Sequence, residues 1–72
     1  MNAKKIQLVK LTDARDFVDI CTTFKCHILL KQHLYIIDGK SLLGIISLDW
    51  NEPVFLEVED GNYEPFNKFI IP

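Results

Sequence analysis

Residues 54–59 read VFLEVE, and their strict alternation decides the fold class. Val54, Leu56 and Val58 are predicted to point to one side of a β-strand, and Phe55 with the two glutamates to the other side, because successive side chains of a strand alternate between faces. A strand with one apolar and one polar side fits an antiparallel sheet with one buried and one wet face. The stretch therefore predicts an open-faced sheet whose inner face is covered by helices.

Three further strand patterns and three helix patterns surround this stretch. The predicted strands cover residues 5–9, 28–30, 34–37 and 54–59, with 31–33 as the tip of a hairpin. The predicted helices cover residues 14–24, 42–48 and a short segment that starts with Pro65 in its first turn. Apolar spacings of three and four residues predict their inner faces, which are Ala14, Phe17, Val18, Cys21 and Phe24; Leu42, Ile45 and Ile46; and Phe66, Phe69 and Ile70. The order β-α-β-β-α-β-α predicts an α+β fold, an open-faced β-sandwich in which a four-stranded antiparallel sheet carries the helices on one face.

Length and composition exclude several classes of protein. The 72 residues are predicted to form a single domain, residues 1–72. Hydrophobic residues make up 49% of the chain, which argues against disorder, and the net charge of -2 gives no basic surface for nucleic acid. No apolar run approaches the roughly 18 residues of a membrane span, and residues 1–5 lack the apolar core of a signal peptide. We therefore expect a cytoplasmic protein, with Cys21 and Cys26 as reduced thiols and no zinc site.

A resemblance to a known family lies in residues 40–48, KSLLGIISL. This segment resembles the Lys-Ser-Ile/Leu-Met-Gly stretch around the regulatory serine of HPr, the small phosphocarrier of the bacterial sugar phosphotransferase system. Apolar residues of the first predicted helix and the second predicted strand are similar to that family's pattern as well, and the spacing to Ser41 needs no gap. The resemblance covers roughly residues 5–69 and implies an HPr-like fold.

The carrier histidine of that family has no counterpart in this chain. In the gap-free register Lys10 stands at its position, and in an alternative register Asp13 does. A neutral imidazole, with a pKa near 6.5, suits reversible phosphate transfer, whereas a lysine with a pKa of about 10.4 stays protonated and does not attack. Asp13 offers an acyl phosphate as one alternative and an ordinary helix-start acid as the other. His27 and His33 are predicted on the surface, away from this position, so we expect no catalytic residue and no enzyme.

The serine segment supplies the candidate site. The resemblance implies that Ser41 is a regulatory phosphosite for an ATP-dependent kinase, and Lys40 lies beside it. Independently, Ser41 is predicted to cap the helix that follows, a role that is compatible with phosphorylation. Leu43 falls outside the predicted inner face, and Leu42 with Leu43 matches the surface with which HPr docks its partners. Trp50 is predicted either to anchor an interface or to cover the end of the small core.

These observations predict a regulatory or binding module of the HPr family that has lost histidine phosphorylation. Its expected partners are proteins of the phosphotransferase system or a kinase that acts on Ser41, with no cofactor, no metal, no nucleic acid and no membrane. Two alternatives stay open. One is a small structural or assembly protein, such as a homodimer, on an HPr-like scaffold. The other is a phosphocarrier that uses a residue other than histidine.

Overall fold

A computed structural model describes residues 3–72, so Met1 and Asn2 of the N-terminal segment lie outside the described residues. Within residues 3–72, the strands are β1 (Lys4–Ile6), β2 (Ile28–Gln32), β3 (Tyr35–Asp38) and β4 (Val54–Val58). The helices are α1 (Leu11–Thr22), α2 (Leu42–Ile46) and a single-turn 3-10 helix (Glu64–Phe66). The four strands form one antiparallel sheet in the order β1-β4-β2-β3. The structure therefore confirms the open-faced α+β sandwich.

The predicted alternation of β4 is confirmed, and it places the core. Val54, Leu56 and Val58 are all buried, while Phe55 and Glu57 on the other side are partly exposed. The buried residues of β4 face apolar partners in both neighbouring strands, because Val54 lies opposite Ile6 and Leu56 lies opposite Leu30. These cross-strand pairs form the floor of the core on which the helices pack.

Helix α1 buries the predicted face on this floor. Ala14, Phe17 and Cys21 are fully buried, and the ring of Phe17 lies 5.1 Å from Phe66 and 5.6 Å from Phe69, measured between centroids. The aromatic cluster ties α1 to the C-terminal segment. It explains how a last helix of one turn stays in place, since so short a helix is not stable alone.

Several predicted boundaries were wrong. The first strand ends at Ile6 instead of residue 9, and α1 begins at Leu11 instead of Ala14. The cause lies in Asp13, whose Oδ2 accepts hydrogen bonds from the Val9 N–H at 3.0 Å and the Lys10 N–H at 3.2 Å. A carboxylate in the first turn therefore caps the helix from inside, and the chain before it turns early.

The prediction for the end of α2 was also wrong at Ile46, which is 45% exposed. The helix ends at this residue, and the tighter turn that follows brings Leu48 into the core instead. The predicted last α-helix is a single 3-10 turn, after which the chain forms a bridge between Ile70 and Ile6. This pairing gives hydrogen-bond partners to the Lys5 carbonyl and the Gln7 N–H at the outer edge of the sheet.

The hairpin between β2 and β3 has its tip at His33 and Leu34 instead of residues 31–33. Gln32 is buried because its side-chain amide binds the backbone of the loop at 49–52, which extends β2 by two residues beyond the predicted end. His33 then makes the turn with a φ of 54°, a left-handed conformation that residues other than glycine adopt at a cost.

No helix within residues 3–72 has the length and apolar character needed to cross a membrane.

Candidate functional site

Ser41 occupies the N-cap of α2. Its backbone is extended, and its Oγ accepts a hydrogen bond from the Gly44 N–H at 3.2 Å. The preceding turn fixes this position, because the Asp38 carbonyl accepts from the Ser41 N–H and the Asp38 Oδ1 accepts from the Lys40 N–H, both at 2.9 Å. The Ser41 side chain is exposed. Its hydroxyl therefore caps the helix and is also accessible from solvent.

The charge next to Ser41 is already engaged. The Lys40 ammonium donates a hydrogen bond to the Phe24 carbonyl at 2.8 Å, just beyond the end of α1. This contact places the positive charge where the helix dipole is negative and links α1 to the turn before α2.

The α2 surface, defined as Ser41, Leu42 and Leu43, projects one large apolar side chain into solvent. Leu43 is 81% exposed, whereas Leu42 is partly buried against the core. Ile46 lies one turn further along the same helix and enlarges the exposed apolar area. The α2 surface therefore consists of a leucine that contributes little to the core, next to an accessible hydroxyl.

Close packing at Gly44 holds this surface in place. A Cβ atom at Gly44 would lie only 2.6 Å from Cγ2 of Ile37 in β3. The absence of a side chain therefore lets α2 approach the sheet edge closely, a contact that was not predicted from the sequence. The signal was present, because a glycine inside a helix lowers helix propensity and calls for a packing reason.

Trp50 is fixed at the end of α2. Its indole Nε1 donates a hydrogen bond to the Ile45 carbonyl at 2.9 Å, and the ring is partly buried against the core. The adjacent Asp49 is held through its backbone by Gln32, whose Oε1 accepts from the Asp49 N–H at 2.9 Å. These contacts account for Trp50 as a cover over the core.

The structure brings together the two residues aligned with the carrier histidine. Lys10 is the N-cap residue of α1, and the Asp13 carboxylate binds the backbone N–H of Lys10. The hydrogen bond from the Val9 N–H lowers the pKa of Asp13, with a smaller contribution from the Lys10 N–H. Both observations assign Asp13 to helix capping. His27 lies just before β2 and His33 lies in the hairpin turn, and both are exposed, as predicted.

The two cysteines are free thiols. Burial raises the pKa of the Cys21 thiol to about 12, whereas Cys26 is partly exposed. Within the described residues 3–72, no three His, Cys, Asp or Glu side chains come close enough together to hold a metal ion.

Comparison with known proteins adds no relative: no protein-family model, curated protein or solved structure matches the chain. The resemblance to HPr therefore rests on residues 40–48 and on the apolar pattern upstream of them.

Proposed function

We propose that the chain is an HPr-like regulatory or binding module that lacks the carrier histidine and engages protein partners through the α2 surface. The observation that carries the proposal is the exposure of Leu43 on a helix that is fixed against the sheet. Burying a leucine side chain in an interface stabilises a complex by about 1.5–3 kcal/mol. Because α2 is already ordered, little of this free energy is spent on arranging the surface.

Phosphorylation of Ser41 is the regulatory step of this proposal. A phosphate would add about -1.5 to -2 charges next to Leu43, and a charge beside an apolar contact opposes docking through its desolvation cost. Ser41 is exposed, so its hydroxyl is reachable by a kinase without unfolding of α2. The proposal places the protein in the cytoplasm, where reduced thiols such as Cys21 and Cys26 are usual.

A binding measurement with matched leucine variants tests the docking half. Purified HPr kinase and the general energy-coupling enzyme of the phosphotransferase system are titrated into the protein by calorimetry. Leu43→Glu is expected to weaken binding by at least tenfold, about 1.4 kcal/mol, because it puts a charge into the apolar contact. Leu34→Glu is the control, since Leu34 is 98% exposed at the hairpin tip and lies outside the α2 surface. Equal binding by Leu43→Glu and the wild type, or no binding of either enzyme, would contradict the proposal.

The same reagents test the carrier alternative. Incubation with phosphoenolpyruvate and the general energy-coupling enzyme is expected to leave the protein unmodified, because Asp13 is engaged in capping. A phosphate transferred to the protein and mapped to a residue other than His27 or His33 would instead support a carrier that uses a residue other than histidine.

A homodimeric scaffold is the second candidate function. The exposed apolar residues along β3 favour it, and they do not overlap with the α2 surface.

A further inference from the structure

In the described part of the chain, one edge of the sheet is covered by another segment, and the other edge is not. At the β1 edge, the C-terminal segment adds a bridge from Ile70 to Ile6, and two hydrogen bonds of 2.9 Å run from Gln7 N–H to the Phe69 carbonyl and from Ile71 N–H to the Lys5 carbonyl. At the β3 edge, no segment within residues 3–72 pairs with the outer side of the strand. An uncovered edge offers backbone groups for pairing with another chain.

The backbone pattern of β3 identifies which groups face outward. Gly39 N–H donates to the Ile28 carbonyl of β2 at 2.8 Å. Every second residue of an antiparallel strand bonds to the same neighbour, so Ile37 and Tyr35 also direct their N–H and C=O groups toward β2. The N–H and C=O groups of Ile36 therefore point away from the sheet. Asp38 also points outward, but its carbonyl already accepts from the Ser41 N–H at 2.9 Å.

The charges beside this edge are held by the chain itself. Lys31, opposite Ile36 in β2, forms an ion pair of 2.7 Å with Glu57 of β4 and is thus drawn toward the centre of the sheet. The carboxylate of Asp38 accepts the Lys40 N–H in its own turn. Charged side chains commonly protect exposed edges from pairing. Here Lys31 is turned toward β4, and Asp38 lies at the last position of β3, away from Ile36.

The side chains along the edge are apolar and exposed. Leu34, Tyr35 and Ile36 are consecutive, and Tyr35 and Ile36 are 65% and 63% exposed. Exposed apolar side chains beside an uncovered strand edge are available for contact with another chain.

We propose that β3 pairs antiparallel with β3 of a second copy of this chain, with the two-fold axis at Ile36. In this register Ile36 of each copy exchanges both of its outward hydrogen bonds with Ile36 of the other copy. Tyr35 lies opposite Ile37, and no two like charges face each other. A register centred on Ile37 would instead require the Asp38 carbonyl, which is already bonded, and would place its carboxylate against Ile36. The outward N–H and C=O of Ile36 thus pair with the same groups of the second copy, and this two-fold symmetric interface closes after two chains.

The available area sets the strength of this dimer. The exposed segment leaves on the order of 300 Å² of side-chain surface per copy, or about 600 Å² for the pair. Stable complexes bury at least about 1,200 Å², so the dimer is reversible and depends on concentration.

Sedimentation velocity between about 10 μM and about 1 mM tests the proposal, in the range where a weak dimer dissociates. The wild type is expected to shift from monomer to dimer, and Ile36→Lys is expected to raise the dissociation constant at least tenfold, because two lysines would face each other at the axis. Leu43→Lys makes the same change at an exposed position of α2 and is expected to leave the dimer intact. A monomer at all concentrations, a dimer that Ile36→Lys does not weaken, or a dimer abolished by Leu43→Lys would overturn the proposal.

A second measurement uses the wild type alone, so it does not depend on the folding of a variant. Amide hydrogen exchange of Ile36 is expected to slow at least tenfold over the same concentration range, as its outward N–H becomes bonded. Exchange that is independent of concentration would overturn the proposal. Because the test surface lies on β3, its outcome is separate from that of the binding measurement on Leu43.

Discussion

Because Gly44 and Ile37 are in close contact, we predict that Gly44→Ala destabilises the wild-type protein but stabilises a variant that lacks the Ile37 side chain. In a Gly44→Ala variant the new methyl group would lie 2.6 Å from Cγ2 of Ile37, whereas carbon atoms pack best at about 3.5–4.0 Å. One of the two elements must therefore move by roughly 1 Å. Cγ2 is bonded directly to the branched Cβ of Ile37, so it does not swing away as the end of a long side chain would.

Two opposing effects set the magnitude. Alanine in place of glycine favours a helix by up to about 1 kcal/mol. Overpacking at a tight contact costs about 1–3 kcal/mol. We expect Gly44→Ala to lower the free energy of unfolding by about 1 kcal/mol, although helix propensity alone predicts the opposite sign.

A double-mutant cycle measured by urea unfolding tests this reasoning. In an Ile37→Ala background the obstructing Cγ2 is gone, and Gly44→Ala is then expected to stabilise the protein by about 0.5–1 kcal/mol. Gly61→Ala serves as the control, because Gly61 has a φ of 78° and no atom within 4 Å of a built Cβ, so its penalty comes from the backbone alone. That penalty is expected to be the same in both backgrounds. Stabilisation by Gly44→Ala in the wild type, or a penalty that persists without Ile37, would refute the packing argument.

Three further predictions follow from buried or capping side chains. Burial raises the pKa of Cys21 to about 12 from 9.0, so its thiol stays protonated in the folded state while that of the unfolded chain ionises. The free energy of unfolding is therefore expected to fall as pH rises from about 9 toward 12. In native protein a thiol reagent should modify Cys26 well before Cys21. Equal reaction rates of the two thiols would contradict this. The pKa of Asp13 is lowered, so its carboxylate contributes to the free energy of unfolding above pH 3.8, and this contribution is lost as pH falls through the folded-state pKa. Asp13→Asn is therefore expected to make stability depend less on pH in that range, and an unchanged pH dependence would exclude the capping role. Gln32→Leu removes the hydrogen bonds between the Gln32 amide and part-buried backbone groups of the loop at 49–52. It is expected to lower the free energy of unfolding by about 1 kcal/mol and to shift Trp50 fluorescence to longer wavelength, whereas unchanged stability and emission would show that the loop does not depend on this amide.

The sequence was sufficient to predict the elements whose signal is periodic. The alternation of Val54, Leu56 and Val58 and the three-four spacing of Ala14, Phe17 and Cys21 each report a buried face directly, because burial and periodicity have the same cause. These patterns predicted the sheet, the main helix and the class of fold.

The remaining features depend on contacts between distant parts of the chain. The hairpin tip moved because Gln32 binds a loop 17 residues further along. The last helix was shortened because Ile70 bridges to Ile6 at the far end of the sequence. Local propensity does not register such partners, so element boundaries were predicted less well than element types.

The candidate site shows the same division. The capping role of Ser41 and the exposure of Leu43 followed from local pattern alone. The engagement of Lys40 by the Phe24 carbonyl did not, and the sequence left Trp50 open between an interface anchor and a cover over the core. Each of these contacts depends on a carbonyl group presented by another element or by the end of a helix.

Phosphorylation of Ser41 is the most direct test of the proposed HPr-like regulation. The protein is incubated with ATP and a bifunctional HPr kinase, its intact mass is measured, and any modified peptide is mapped, with Ser41→Ala and Ser47→Ala as the variant and its matched control. Ser47 is also an exposed serine, at the other end of α2, where its hydroxyl donates to the Gly44 carbonyl. Our account predicts one phosphate per chain that is lost in Ser41→Ala and kept in Ser47→Ala. An unmodified protein, or a phosphate that maps elsewhere, would contradict regulation through Ser41.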